Sequence, residues 1–369
     1  MAKPLTATKY FRVMQALRQE WSLWEPGTIV PTVNDLKERF SASQTTVTQA
    51  LSRLQDEGVI HRPDGRNRLV VSEQAPQVDN RIALIRPSAS SPDYDALTRA
   101  LVRESDHRGW ALDVDASHSD MNTVNLNRCI GQNDAAVLMV SQVNIRSSLL
   151  AGLRKPSRPV VTVLDVPDYP EISGVSADSI TIGRTAISHL IDHGHSDILT
   201  VISEPRTRSN LDRAQGARAR LLEHGVSHAD ELVLDCQVRP PADSIALSYE
   251  RICEFLTRSD RPRFSAVFCV AWTGAFAMMK ALNDIGKWSI PQDVSLVTYA
   301  GESLLIPFLI PPLTAVQTDV DEYARCVMDL LADRLEDPQI PARHIHVPCS
   351  LIERESVIDR LASRHPQGI

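Results

Sequence analysis

Residues 31–71 read PTVNDLKERFSASQTTVTQALSRLQDEGVIHRPDGRNRLVV, and three breaks in this stretch decide how the N-terminal part folds. Pro31-Thr32 opens a helix through Phe40, with Thr32 as N-cap and Asp35 at the third helical position, the acidic form of a capping box. Ser43 caps the next helix, in which Val47, Leu51 and Leu54 recur at helical spacing until Gly58 closes it. VIHRP, the turn DGRN and RLVVS then read as a two-stranded hairpin with Arg66 and Arg68 near its tip. Upstream, TATKYFRVMQALRQE (6–20) sets Tyr10, Val13, Met14 and Leu17 on one face of a first helix.

Three helices and a hairpin make a winged helix-turn-helix, assigned to residues 1–72. One feature runs against local propensity. The helix after Ser43 begins with Thr45, Thr46 and Thr48, which are β-branched and poor helix formers. If residues 44–48 enter a major groove, hydroxyl and amide groups facing bases and phosphates outweigh propensity, and threonine methyls meet thymine methyls. The alternative is a solvated helix start capped by Ser43. The expected DNA contacts are Thr32, Asn34, Ser43, Gln44, Thr45, Thr46, Thr48, Arg66 and Arg68. Charge agrees: residues 1–72 carry ten Lys/Arg against seven Asp/Glu, in a chain of net charge -7. A small basic end on an acidic body suits a local polyanion-binding module.

The quoted stretch resembles the GntR-type winged helix along its whole length. Pro31-Thr32, Leu36, Phe40, Ser43, Thr46-Val47, Ala50-Leu51, Leu54, Glu57-Gly58 and Gly65-Arg66 fall on that family's pattern without a gap. Asn34, Gln44 and Thr48 stand where the family usually carries arginine. The usual arginine-to-guanine contacts therefore do not carry over, whereas glutamine suits adenine.

SEQAPQVDN is polar and holds a proline, and residues 73–80 are read as a linker. Beyond it, short apolar runs alternate with helical stretches: RIALIRP, DALTRALVRESDHRG, DAAVLMV, VVTVLD, then IGRTAISHLIDHG, DILTVIS, RAQGARARLLEHG, AVFCV, TGAFAMMKALNDIG and VSLVTYA. Alternating β and α elements imply parallel sheets covered on both faces, and two successive series imply two doubly wound lobes. Ligands of such sheets bind at the carboxyl ends of the strands. That places candidates at Ser88 to Tyr94, Ser141-Gln142, Asp165, Ala271-Trp272 and Tyr299 to Glu302.

Residues 81–360 resemble the LacI-type sensor domain, a two-lobed, periplasmic-binding-protein-like (type I) α/β fold. SPDY (91–94), RPVVTVLD (158–165), GRTAISHLIDHGHSDI (183–198), RAQGARARLLEHGV (213–226), IPQDVSLVTYAG (290–301), PPLTAVQTDV (311–320) and VPCSLIERESV (347–357) carry the likeness. The combination resembles the arabinose-repressor type of transcription regulator. The resemblance implies an N lobe of about 81–175 and 303–317, a C lobe of about 176–300 and 318–358, and hinges near 174–177, 300–303 and 315–319. It also implies a homodimer, double-stranded operator DNA and a sugar or sugar-derived effector as partners, and an effector site among Ser88, Tyr94, Ser141, Asp165, Arg213, Trp272 and Glu302.

Arg213 matches the family's ligand-binding arginine. The usual Asn-Asp pair aligns on Ala271-Trp272 and the usual Asp-Asp pair on Ala300-Gly301, so two of three polar clusters are gone. Unmatched hydroxyls are expensive to bury, so an anionic or aromatic-bearing sugar derivative would suit Arg213 and Trp272 best. Trp272 stacks on an effector or fills the pocket of a sensor kept only for dimerisation. Arg213 binds ligand or forms a hinge or helix ion pair. Asp165 orients Arg213 or ligand, or caps a strand end.

Other functions find little support. The chain has no Gly-rich phosphate loop, no G-x-S-x-G elbow and no familiar metal-ligand spacing, so neither enzyme activity, metal nor cofactor is expected. The six cysteines form no C-x-x-C pair and read as reduced structural thiols, with a redox or metal role as the alternative. His189, His193 and His195 straddle a helix end and are assigned structural roles. Apolar runs are strand-sized, too short for a membrane helix, and the first residues lack an apolar signal core. A bacterial cytoplasmic location follows as the expectation.

Overall fold

The computed structural model describes residues 9–21, 24–56, 58–63, 68–72, 80–88, 91–140, 146–167, 169–239, 243–285, 288–301 and 305–361. The N-terminal module comprises α1 (Lys9–Trp21), α2 (Val33–Phe40), α3 (Gln44–Asp56) and the antiparallel pair β1 (Ile60–His61) and β2 (Val70–Val71). The capping box at Thr32 is complete. Its hydroxyl accepts the Asp35 N–H at 3.3 Å, while Asp35 Oδ2 accepts the Thr32 N–H at 2.9 Å. Ser41 then turns the chain at φ 46° so that α3 can cross α2. The 3.6-residue period buries Val47, Ala50, Leu51 and Leu54 against Val13, Met14, Leu17, Trp21 and Leu36. Each fully buried aliphatic side chain contributes roughly 1.5–3 kcal/mol, which is how so small a module holds together.

The body has two six-stranded sheets. The first runs β13 (His344–Val347), β7 (Ser173–Ala177), β6 (Val160–Leu164), β5 (Ala135–Val140), β3 (Arg81–Pro87), β4 (Ala111–His118), all parallel. Successive strand residues face opposite sides. Leu84, Val137 and Val163 pack under α4 (Pro92–His107) and α11 (Val320–Glu336), and Ile85, Leu138 and Val140 pack under α5 (Leu126–Ile130) and α6 (Ser147–Arg154). The second sheet runs β14 (Cys349–Ile352), β12 (Thr314–Thr318), β11 (Ser295–Tyr299), β10 (Ala266–Cys269), β8 (Ile198–Ile202), β9 (Val233–Asp235), with β14 alone antiparallel. Here α7 (Ser179–Asp192) and α8 (Arg208–Glu223) cover one face, and α9 (Ser244–Thr257) and α10 (Trp272–Ile285) the other. Among the described residues, no helix is long and apolar enough to cross a membrane.

The division of the last sixty residues differs from the expected one. Residues 303–317 do not return to the N lobe: β12 pairs in parallel with β11, Thr298 opposite Ala315. Residues 318–358 do not all stay in the C lobe. α11 buries Tyr323, Val327 and Leu331 in the N lobe, and β13 pairs with β7. Among the described residues the chain therefore crosses at Asp178, Asp319 and Pro348, and β11 and β12, on either side of 300–303, belong to the same sheet. An apolar run such as LTAV is buried on both faces in either sheet, so its pattern does not reveal which sheet it joins.

Candidate functional site

On the N-terminal module, α3 turns Gln44, Thr45 and Thr48 outward, all exposed, opposite its buried stripe. Ser43 and Thr46 are differently placed. Ser43 Oγ accepts the Thr46 N–H at 3.2 Å and lies 2.8 Å from Thr46 Oγ1, so both hydroxyls hold the helix start. The Thr32 hydroxyl donates to Asp35 Oδ2 at 2.7 Å, and Asn34 Oδ1 accepts from Lys37 Nζ at 3.4 Å. Those hydrogen bonds from Thr32, side chain first and then backbone, hold the Asp35 carboxyl below its ordinary value. Arg68 is exposed at the base of the wing; Arg66 lies outside the described residues. Two further exposed arginines, Arg53 in the last turn of α3 and Arg62 after β1, escaped the sequence reading.

The second candidate is the crevice between the lobes, where strand ends from both sheets meet. Trp272 Nε1, at the start of α10, donates to Asp93 Oδ2 in the first turn of α4 at 3.2 Å. Asp165, directly after β6, accepts the Ser209 N–H at 2.8 Å and also the Ser209 hydroxyl. The carboxylate of one lobe thereby caps α8 of the other. Leu164 is held at φ 74° beside it, an uncommon conformation that turns Asp165 into the crevice.

Arg213 forms the floor. Its guanidinium carbon sits 3.7 Å over the Tyr299 ring, and Nη1 donates to Asn210 Oδ1 at 3.1 Å and Val270 O at 3.0 Å. Glu204, after β8, accepts from Thr273 Oγ1 at 2.6 Å and Ser244 Oγ at 2.9 Å. Burial is the first cause raising all three carboxyls, with hydrogen bonds and the charge of Arg213 opposing it. Trp272 offsets part of the shift at Asp93, Ser209 at Asp165, and Thr273 and Ser244 at Glu204.

Hydrogen bonding in the crevice is incomplete. Among the described residues, Asp93 Oδ1, Ser203 Oγ and Arg213 Nε are buried without a well-formed partner, while the Thr207 hydroxyl leans on Asp165. Asp93 Oδ1 reaches only toward the Gly301 backbone, and a Cβ at 301 would lie 2.9 Å from it. Asp93 of the opposite lobe thus stands against the position, 300–301, where the resemblance leads one to expect an aspartate.

The remaining expected residues are placed unevenly. Ser88 is exposed, with its N–H on His118 O at 2.8 Å beside β4. Tyr94 packs against the N-lobe core with Arg86 6.0 Å over its ring. Ser141 and Glu302 lie outside the described residues. Trp272 abuts Phe276 edge-on at 5.2 Å, and its N–H is engaged by Asp93. Asp93 lay inside the expected stretch without being singled out, and Glu204 outside every expected stretch. The Ser-Pro helix start just before Asp93 was the available signal for the first.

His189 Nδ1 faces Glu353 at 3.6 Å, whereas His195 faces Ser265 Oγ at 2.9 Å and Ile358 O at 3.3 Å, so these rings have separate partners. Burial first, then Arg360, lowers His195 to about 4. All six cysteines are free thiols.

Comparison with known proteins follows the same division. Residues 9–70 match the bacterial regulatory proteins of the gntR family, and residues 187–357 match the periplasmic binding protein-like domain. The chain is 23% identical to the HTH-type transcriptional repressor PurR of Pectobacterium carotovorum subsp. carotovorum (strain PC1) over 349 residues, 89% of this chain and 97% of that one. It is 25% identical to the ribose operon repressor of Escherichia coli (strain K12) over 281 residues, 74% of this chain and 81% of the other. The transcriptional regulator CelR–cellobiose complex overlays with a TM-score of 0.65 at 22% identity, covering 89% of this chain and 100% of that one. A LacI family transcriptional regulator from Enterococcus faecium with bound ribose gives 0.63 at 20% identity, covering 76% and 99%.

The class is thereby defined: a bacterial-regulator helix-turn-helix domain joined to a two-lobed, periplasmic-binding-protein-like body. Within it, residues 9–70 carry a helix-turn-helix of the gntR type and residues 187–357 a periplasmic binding protein-like domain, and the relatives are named as repressors.

Proposed function

We propose that the chain is a cytoplasmic, homodimeric transcription repressor that reads operator DNA with α3 and its wing and responds to a small molecule held between its lobes. The observation that carries the DNA half is the exposed neutral face of α3. Gln44, Thr45 and Thr48 are set to read base edges, glutamine on adenine and threonine methyls on thymine. Thr32, Asn34 and Arg68 flank it as phosphate contacts, Arg66 is given the same role from the sequence alone, and Ser43 and Thr46 hold the helix start that aims it.

Dimerisation is supported by Leu305, Phe308 and Ile310, which are 52%, 83% and 92% exposed around a single turn. An apolar patch of this kind suits burial by a second copy, which would present two winged helices to a palindromic site.

Ser203 Oγ and Arg213 Nε, buried with no partner among the described residues, support a bound effector, because buried polar groups are ordinarily paired. They also revise its chemistry. Three carboxyls, Asp93, Asp165 and Glu204, surround one Arg213, so an anionic effector meets repulsion, whereas a neutral polyhydroxyl compound donates to the acids and accepts from the guanidinium. The solved relatives carrying ribose and cellobiose are consistent with that class. One observation favours a second reading, a body kept for dimerisation alone: Trp272–Asp93 and Ser209–Asp165 already join the lobes.

A thermal-shift screen of neutral mono- and disaccharides, followed by calorimetry, separates the readings. A stabilising ligand whose affinity falls at least tenfold in Asp93→Asn supports the effector site. Stabilisation by none supports the dimerisation body.

A further inference from the structure

β4 ends in Asp115-Ala116-Ser117-His118, and a bulge decides which of these side chains share a side. The register against β3 runs Ile85 opposite Asp115 and then Pro87 opposite His118, two residues facing three. On a regular strand, residues three apart point to opposite faces. The extra residue brings Asp115 and His118 together. His118 Nε2 lies 2.9 Å from Asp115 Oδ2 and 3.5 Å from Sγ of Cys129 on α5. All three side chains are half-buried, and their ligand atoms lie within 4.8 Å of one another.

Both neighbours address the same ring nitrogen. A relay that activates a cysteine through histidine and aspartate uses the two nitrogens separately, so this arrangement is not a nucleophile triad. A single Nε2–H satisfies either the carboxylate or the sulfur, and one cation among the three satisfies all. The spacing suits that occupant. Tetrahedral bonds of about 2.3 Å to sulfur and about 2.0–2.1 Å to nitrogen and oxygen set S and N about 3.6 Å apart and N and O about 3.3 Å apart. The distances of 3.5 and 2.9 Å need only a small opening to match.

We propose that Asp115, His118 and Cys129 form a zinc site at the edge of the N lobe, with a fourth position open to water. A thiolate with an imidazole selects zinc over magnesium or calcium. The surroundings already orient the carboxylate: Asp115 Oδ1 accepts from Ser117 N at 3.0 Å and Ser117 Oγ at 2.6 Å, leaving Oδ2 for the metal. The site sits at the carboxyl end of β4, tied to β3 by Ser88 N–H on His118 O, and it uses none of the crevice residues. Cys129 is thus a metal ligand and departs from the structural role expected of it.

The test is cobalt(II) titration of the full chain, stripped with chelator and kept reduced by a phosphine, followed by absorption spectroscopy and zinc competition. The expected result is one cobalt per chain with tetrahedral d–d bands and a thiolate-to-metal charge-transfer band. Cys129→Ser should abolish that band and weaken zinc binding about 100-fold, His118→Ala should weaken it similarly, and Ser117→Ala about tenfold. Cys253→Ser, on α9 in the other lobe, should change nothing. Circular dichroism confirms that each variant is folded. A charge-transfer band that survives Cys129→Ser, or octahedral cobalt spectra throughout the titration, overturns the proposal.

Discussion

α7 and α8, which carry much of the crevice, meet backbone to backbone at two glycines. A Cβ on Gly183 would lie 1.9 Å from the Arg213 carbonyl oxygen and 2.8 Å from Ala217 N; one on Gly216 would lie 2.1 Å from Ile180 O. Ordinary contact begins near 3.4 Å, so Gly183→Ala must drive the helices apart by about 1.5 Å. The atom it strikes belongs to Arg213 itself, and a helix backbone cannot swing aside as a flexible side chain does. Overpacking of this kind costs about 3 kcal/mol, against which alanine's better helix propensity returns about 1 kcal/mol. A net loss of about 2 kcal/mol lowers Tm by roughly 4–8 °C in a domain of this size. Gly152→Ala in α6 is the control, since its Cβ would meet Leu126 at an unstrained 3.7 Å, and Tm should hold or rise slightly. Differential scanning fluorimetry of both variants decides the matter. If Gly183→Ala melts at or above the wild-type temperature while Gly152→Ala behaves as stated, the two helices do not meet backbone to backbone at Gly183.

Three other outcomes are expected. Tyr323→Phe removes a hydroxyl that accepts from Leu164 N at 2.9 Å and donates to Val175 O at 2.5 Å, so urea denaturation should show a loss of about 2 kcal/mol at unchanged m. Burial raises Asp93 and Asp165 above 3.8 in the closed crevice, so closure takes up protons; it is favoured at low pH and weakens as pH climbs from 3.8 through the raised values. Small-angle scattering against pH should show this opening, and a profile unaltered in Asp93→Asn with Asp165→Asn would remove the assignment. Gln44→Ala with Thr48→Ala should lower operator affinity by roughly 10–100-fold while sparing non-specific binding, and Arg68→Ala should reduce the log–log salt slope by about 0.9. Fluorescence anisotropy with operator and scrambled duplexes reads both.

Local signals in the sequence were those with local causes. The Thr32 capping box, the Ser43 cap and the buried stripe of α3 each depend on residues three or four apart, and each is present in the structure. The alternating runs marked two parallel sheets for the same reason. What escaped depends on contacts between distant segments. Nothing near Leu313 tells whether β12 joins one sheet or the other, because both supply the same apolar surroundings. Asp93 could be seen as a helix-start aspartate, but its approach to Trp272 and Gly301 joins residues about two hundred positions apart. Likewise Asp115 and His118 look divergent until the bulge beside Pro87 is known.

The three crossings between lobes also govern the order in which the protein can be made. The core under α4 includes Tyr323, Val327, Leu331 and Val347, so the first lobe stays incomplete until Val347 has left the ribosome. The winged helix closes its own core by Val71. Roughly 275 residues separate those two moments, or about 14–55 s at ordinary elongation rates. For that interval a finished head precedes a body in which β7 waits for β13 and Leu84, Val137 and Val163 wait for the cover of α11, which makes nascent-chain apolar surface, more than the head, the hazard in its synthesis.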